Sequence, residues 1–141
     1  MAVKQVSIFI ENETGSLTRL TDVLAEAGVD LNAATIAETG EYGILRCIVQ
    51  EPERAVEVLK KGGFMASIGE TIAVAIDNKP GGLHYVLKLL SDEDIAVKYI
   101  YSTIQSIKGE AVIVMKVSDL QRAENILRDA GVKLCDTEEL K

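Results

Sequence analysis

The spacing of apolar residues changes along the chain, and each change marks a different element of secondary structure. Residues 6–10 alternate with a period of two, which predicts a strand. From Ser16 onward the apolar residues recur at helical spacing until Gly28, a residue typical of helix C termini. This helical stripe predicts four core positions: Leu17, Leu20, Leu24 and Ala27. Followed to residue 68, the pattern gives the order β-α-β-β-α-β.

The chain then repeats this order. Residues 6–17 align with residues 72–83 at an offset of 66, and residues 54–63 align with residues 122–131 at an offset of 68. The repeat predicts two domains, residues 1–69 and 70–141, joined at Gly69 and Glu70 without a mobile linker. The order is that of the ferredoxin-like split-βαβ unit. We therefore predict an α+β fold of two tandem units, each an antiparallel sheet with its helices on one face.

Composition and charge limit the function. The chain of 141 residues is 48% hydrophobic but only 4% aromatic and has a formal net charge of −7. These values predict an aliphatic core and argue against nucleic acid or an anionic membrane as a partner. There is no apolar run of membrane-spanning length and no signal-peptide pattern. Cys47 and Cys135 occupy non-equivalent positions in the two repeats, which favours buried thiols and a cytoplasmic protein.

A repeat of about 70 residues forms only a small core. The predicted sheet face without helices is also rich in apolar residues, which need to be covered. We therefore expect at least a homodimer. The candidate residues for this face are Phe9, Ile48, Ala73, Ala75, Val112 and Val114.

The loop Asp77-Asn-Lys-Pro-Gly-Gly-Leu83 leaves a strand and enters a helix. Pro80 restricts its own φ, and Gly81 and Gly82 allow another group to approach the backbone closely. The free N–H groups of the helix N terminus favour a carboxylate, and the amide of Asn78 can accept a hydrogen bond from an ammonium group. Asn12 and Asn78 could equally form Asx turns or cap their helices.

This loop motif, on a β-α-β-β-α-β unit in which Ala-Gly-Val-Asp-Leu (27–31) opens the second strand, resembles the ACT domain. The resemblance covers both repeats and implies a free-standing tandem ACT protein of the amino-acid-binding regulatory type. In that family the ligand lies where the first loop of one domain meets the second strand and first helix of a neighbour. The resemblance therefore implies two sets of ligand-binding residues. The loop set is Asn12, Gly15, Ser16, Leu17, Asn78, Pro80, Gly81, Gly82 and Leu83, and the second-strand set is Leu31, Asn32, Ala33 and Tyr99.

Two functions remain open at this point. The first is a sensor that binds a free amino acid or a similar small carboxylate and acts in trans on a metabolic enzyme. The second is a structural interaction subunit whose loops bind no small molecule. We expect no enzymatic activity, cofactor or metal, because the catalytic and metal-binding motifs are absent and His84 is the only histidine. Because the first loop has Thr14 in place of proline and Ser16 where the second loop has Gly82, we expect the second repeat to be the more important site.

Overall fold

The computed structural model describes residues 2–104 and 109–140. The chain forms two compact units. The N-terminal unit comprises residues 4–69, and the C-terminal unit comprises residues 70–140 together with residues 2 and 3.

The N-terminal unit is an antiparallel sheet with two helices on one face. Its elements are β1 (Val3–Glu11), α1 (Ser16–Glu26), β2 (Leu31–Glu38), β3 (Tyr42–Val49), α2 (Pro52–Lys61) and the first part of β4 (Met65–Asp77). The strand order is β2-β3-β1-β4. Glu11 of β1 pairs with Tyr42 of β3, so the end of β1 lies beside the start of β3.

The C-terminal unit repeats this architecture. Its elements are the second part of β4, α3 (Gly82–Asp92), β5 (Val97–Ser102), β6 (Glu110–Val117), α4 (Leu120–Asp129) and β7 (Lys133–Cys135). The strand order is β7-β4-β6-β5. Asp77 pairs with Glu110 as Glu11 pairs with Tyr42. The predicted α+β fold of two β-α-β-β-α-β units is confirmed.

Each unit has its own hydrophobic core between the helices and one face of the sheet. Alternate strand residues point into it, as a period of two requires. The N-terminal core is built mainly from Val6, Ile8, Leu20, Leu24, Leu45, Cys47, Val49, Ala55 and Leu59. The C-terminal core contains Ile72, Val74, Val86, Leu90, Ile113, Met115, Val117, Ala123 and Leu127 at the corresponding places. Cys47 and Cys135 are buried free thiols, as predicted.

The structure corrects two expectations and shows how far the predicted apolar face is covered. β4 is one strand of 13 residues that passes through Gly69 and Glu70, so the last strand of repeat one and the first strand of repeat two are continuous. Leu17 is not a core residue: it is 41% exposed in the first turn of α1, whereas the equivalent Leu83 packs against the C-terminal core. Phe9 is also exposed. The other predicted residues of the apolar face are mostly covered, because Ile48, Ala73, Val112 and Val114 are buried.

No helix within residues 2–104 and 109–140 has both the length and the apolar character needed to cross a membrane.

Candidate functional site

The loop between β1 and α1 and the loop between β4 and α3 each end in a glycine with nearly the same backbone conformation. Gly15 is the N-cap of α1 with φ 92° and ψ −14°, and Gly81 is the N-cap of α3 with φ 88° and ψ −10°. These left-handed conformations explain why both loops have glycine here. Thr14 in place of proline therefore leaves the conformation of the N-cap glycine unchanged. No side chain caps either helix, so Asn12 and Asn78 are not helix caps.

The two asparagines have different environments. The backbone N–H of Asn12 donates to Glu41 O at 2.8 Å, and its Nδ2 donates to Gly40 O at 2.7 Å. The backbone N–H of Asn78 likewise donates to Gly109 O at 3.1 Å. Its side chain is exposed and makes no hydrogen bond with any residue that the structure describes. Asn12 thus holds its loop against a hairpin, whereas the Asn78 amide is available to a ligand.

Gly82 is required for a different reason from Gly81. A Cβ on Gly82 would lie 2.1 Å from the backbone oxygen of Asp77, whereas a Cβ on Gly81 would meet no atom within 4 Å. The loop turns back tightly here, since Lys79 N donates to Asp77 O and Gly82 N donates to Lys79 O. The glycine pair therefore provides a left-handed residue followed by a close backbone contact.

A cleft of about 440 Å³ opens beside this loop in the C-terminal unit. We call it the C-terminal cleft. Its described walls are the end of β4, the first turns of α3, the start of β6 and the start of β7. Its charged and polar residues are Asp77, Lys79, Tyr85, Glu110 and Lys133. Asp77 and Lys79 form an exposed ion pair at 3.4 Å.

A cleft of about 310 Å³ occupies the corresponding place in the N-terminal unit. We call it the N-terminal cleft. Its described walls are formed by Phe9, Ile10, Glu11, Ser16, Arg19, Tyr42, Gly63, Phe64 and Met65. The Arg19 guanidinium carbon lies 4.2 Å from the centre of the Phe64 ring, a cation–π contact. Nη1 of Arg19 also donates to Gly62 O at 3.4 Å.

The repeat relates these clefts residue by residue. The strand pairing and the two offsets match Glu11 with Asp77, Ser16 with Gly82 and Arg19 with Tyr85. They also match Tyr42 with Glu110, Phe64 with Val132 and Met65 with Lys133. The clefts therefore share a backbone frame but differ in their side chains.

Among the predicted site residues, Ser16, Gly81 and Gly82 line these clefts. Gly15 forms the matching turn, and Asn12 lines a neighbouring acidic depression with Glu11, Glu13 and Glu41. Asn78, Pro80, Leu17 and Leu83 belong to the same loops without lining either cleft. Leu83 packs against the C-terminal core.

The second-strand residues lie far from the loop of their own unit. Leu31 pairs with Val49, whereas the other end of β2, at Glu38, pairs with Gly43 beside the end of β1. Seven residues of strand separate these ends, which corresponds to about 23 Å. Tyr99 lies at the start of β5 in the equivalent position of the C-terminal unit. The loop set and the second-strand set therefore do not form one site within a unit.

The start of β2 has an unusual polar group. The pairing of β2 with β3 shifts register between Leu31 and Ala33, which leaves Asn32 at an irregularity in the sheet. The Nδ2 atom of Asn32 is buried and has no hydrogen-bond partner among the described residues. The matching shift in β5 lies between Val97 and Tyr99, where Lys98 is exposed. A buried unpaired donor is costly, so an acceptor from another molecule would stabilise it.

The residues that form the cleft walls opposite the loops were not among the predicted site residues. They are Arg19 on α1, Tyr42 at the start of β3 and Phe64 directly before β4, together with their C-terminal counterparts. Only the registers Glu11↔Tyr42 and Asp77↔Glu110 bring the hairpin residues to the loops. The signal that could have revealed them was the helical spacing of Arg19 and Tyr85 one turn after the glycines.

In the described part of the chain, no cluster of three histidine, cysteine or acidic residues could hold a metal ion.

The local electrostatics include an acidic pair beside the N-terminal cleft. The pKa of Glu13 is raised, first because its side chain hydrogen-bonds Glu11 and second because the two charges repel each other. Arg19 acts in the opposite direction on the pKa of Glu13.

The fold and the paired loops define a tandem pair of β-α-β-β-α-β domains. The family model described as an ACT domain pair matches residues 1–141, and the chain belongs to this family. A protein of known crystal structure from Bacteroides thetaiotaomicron is 36% identical, with a TM-score of 0.93 over 99% of this chain and 96% of that chain.

More distant chains share the fold alone. The ligand-free regulatory subunit of aspartate kinase from Thermus thermophilus is 16% identical, with a TM-score of 0.62 over 91% of this chain and 90% of that chain. The corresponding subunit from Thermus flavus is 14% identical, with a TM-score of 0.61 over 89% of this chain and 88% of that chain. No curated protein matches the chain.

Proposed function

We propose that this protein is a regulatory module that binds a free amino acid or a similar small carboxylate and acts in trans on a metabolic enzyme. The main support is that each repeat has an open cleft beside its first loop with groups of both charge signs. The N-terminal cleft has Arg19 and Glu11, and the C-terminal cleft has Lys79, Lys133 and Asp77 among others. A zwitterion needs such a combination, with donors for its carboxylate and acceptors for its ammonium group.

Two proteins of the same fold, from the two Thermus species, are regulatory subunits of aspartate kinase. We propose that the present chain is not an enzyme. Its single histidine, His84, is exposed on α3, and both cysteine thiols are buried away from either cleft. With buried free thiols, a reducing compartment such as the cytoplasm is the proposed location.

We propose that each repeat, residues 1–69 and 70–141, is one functional domain, and that the ligand contacts include both predicted sets. The loop set is Asn12, Gly15, Ser16, Leu17, Asn78, Pro80, Gly81, Gly82 and Leu83, and the second-strand set is Leu31, Asn32, Ala33 and Tyr99. Because these sets lie at opposite ends of a unit's sheet, a site that contains both needs a second copy of the unit. A homodimer would supply it, and the unpaired Nδ2 of Asn32 would then gain an acceptor.

A thermal-shift screen of the twenty amino acids and related carboxylates tests the binding function. A ligand at 100 times its dissociation constant should stabilise the protein by about 2.7 kcal/mol. Light scattering at micromolar concentration tests the dimer, since a constant mass near 15.3 kDa would contradict it.

The alternative is a structural interaction subunit with no small-molecule ligand. The observation that favours it is the exposed apolar surface of the N-terminal unit, where Phe9, Tyr42 and Met65 are 42%, 47% and 73% exposed. Such residues are common at protein interfaces. The absence of stabilisation by any compound in the millimolar screen would favour this alternative.

A further inference from the structure

The N-terminal cleft contains a cation held in place. The Arg19 guanidinium stacks on the Phe64 ring at 4.2 Å and makes one hydrogen bond, to Gly62 O, among the described residues. An arginine side chain has five N–H donors in a planar fork that matches a carboxylate. Most of these donors therefore remain available, and stacking reduces the conformational freedom that a ligand would have to restrict.

An anionic group lies on another wall of the same cleft. Glu11 lines both the cleft and the neighbouring acidic depression that contains Glu13 and Glu41. Glu13 lies beside Glu11, which raises the pKa of Glu13 through a side-chain hydrogen bond and through repulsion between the two charges. An ammonium group placed at Glu11 would relieve the repulsion within this pair.

The rest of the N-terminal cleft is apolar. Phe9 and Tyr42 form a tilted ring pair with centroids 4.9 Å apart, and Phe64 and Met65 also line the cleft. These side chains offer a surface for an aromatic ring or a long aliphatic chain. The volume of about 310 Å³ is at the small end of ligand sites, which span roughly 300–1,000 Å³.

The C-terminal cleft lacks this surface at the matching positions. It has Ala75 for Phe9, Glu110 for Tyr42, Val132 for Phe64 and Lys133 for Met65. Tyr85 replaces the stacked cation Arg19. The same backbone frame thus presents an apolar wall in one unit and a charged wall in the other.

We propose that the N-terminal cleft is a recognition site of its own for an amino acid with an aromatic or long apolar side chain. Arg19 binds the carboxylate, Glu11 binds the ammonium group, and the wall of Phe9, Tyr42, Phe64 and Met65 contacts the side chain. The C-terminal cleft discriminates against such side chains. This assignment rests on the proposed amino-acid-binding function and adds the ligand class and its location.

Calorimetric titration with L-phenylalanine and L-leucine tests the assignment on the full chain. Arg19→Gln should raise the dissociation constant about tenfold or more, because a charge-assisted hydrogen bond is lost. Arg19→Lys, which keeps the charge but not the fork, should give an intermediate value. The matched control is Arg54→Gln, which removes an exposed arginine of the same unit that pairs with Glu51 instead. It should leave the dissociation constant unchanged.

Further experiments test the contacts to the carboxylate, the ammonium group and the side chain of the ligand separately. The desamino acid 3-phenylpropionate and the descarboxy amine phenethylamine should each bind more weakly than L-phenylalanine. Met65→Lys, which copies Lys133 at an exposed position, should weaken binding of L-phenylalanine without unfolding the protein. In ¹⁵N-labelled protein, L-phenylalanine should shift the amide signals of Ser16, Arg19 and Phe64 more than those of Gly81 and Gly82.

The assignment would be overturned if L-phenylalanine bound equally well to the wild type and to folded Arg19→Gln and Met65→Lys. Amide shifts centred on Gly81 and Gly82 would also overturn it. If only polar amino acids such as L-serine or L-aspartate bound, the assignment would fail while the proposed function stood. If neither an amino acid nor a related small carboxylate bound, both would fail.

Discussion

Replacing Gly82 with alanine should strongly destabilise the C-terminal unit. The added Cβ would lie 2.1 Å from Asp77 O, about 1.3 Å short of ordinary van der Waals contact. Because the obstacle is backbone within the same tight loop, no side-chain rotation can relieve it. The loop itself must open.

The magnitude follows from what opening the loop disrupts. Overpacking of this kind costs about 1–3 kcal/mol. The hydrogen bonds Lys79 N→Asp77 O at 2.9 Å and Gly82 N→Lys79 O at 3.1 Å would be strained or lost, at about 1 kcal/mol each. The expected loss in the free energy of unfolding is therefore about 2–5 kcal/mol, which corresponds to a fall in Tm of about 10 °C in a chain of this size.

Urea and thermal unfolding followed by circular dichroism measure this loss, and three controls isolate its cause. Gly81→Ala should cost only about 1–2 kcal/mol, since its left-handed φ is unfavourable but its Cβ has open space. Gly69→Ala should be close to neutral, because Gly69 does not have a left-handed φ and its added Cβ would meet no atom within 4 Å. Ser16→Ala, at the position matching Gly82, should also be tolerated. A Gly82→Ala protein within about 0.5 kcal/mol of wild type would refute the steric reasoning.

Three other measurements test the structure. Asn12→Ala should lower the unfolding free energy by about 0.5–1.5 kcal/mol, because the hydrogen bond to Gly40 O is lost. Asn78→Ala should leave the unfolding free energy unchanged. Equal effects of the two substitutions in urea unfolding would contradict this prediction. Asp119→Ala should cost about 1 kcal/mol, because this side chain caps α4; a neutral result in thermal unfolding would contradict the cap. Burial raises the pKa of Cys47 from its ordinary value of 9.0 to about 12, so iodoacetamide at pH 8 should modify this thiol only after unfolding. Its contribution to stability should be complete below pH 9 and decline toward pH 12, because the unfolded thiol ionises first. Rapid native-state alkylation would contradict this burial.

The fold could be predicted because each element has a local signal in the sequence. The period of two over residues 6–10, the helical stripe after Ser16 and the repeat itself were sufficient for the element order. Gly69 and Glu70 were misinterpreted as a break because glycine usually weakens a strand. In the structure, Lys116 Nζ donates to Glu70 O, and Thr71 Oγ1 donates to Val3 O at 2.9 Å. Such pairings are long-range in sequence and have no local pattern.

The site was predictable only where one segment builds it. The turn at Gly81 and Gly82 follows from their order in the loop, and the structure bears out its need for glycine. Two expectations failed for lack of tertiary information. Asn12 could have been a helix cap on sequence grounds, but the hairpin carbonyl of Gly40 takes its amide instead. Leu17 follows the helical stripe in sequence, yet it is 41% exposed.

The comparison of the two loops shows why a motif match alone cannot rank the two repeats as binding sites. The argument for the second repeat depended on Pro80, but Gly15 and Gly81 have the same left-handed turn within a few degrees. Proline at such a position acts largely by restricting the unfolded chain, so its absence can lower stability without changing the folded geometry. Affinity must then depend on the side chains around the common turn. At those positions the repeat alignment matches Arg19 with Tyr85 and Tyr42 with Glu110. A duplicated backbone with different walls is what two sites of different ligand preference require, whereas two equivalent sites would have kept the same charges.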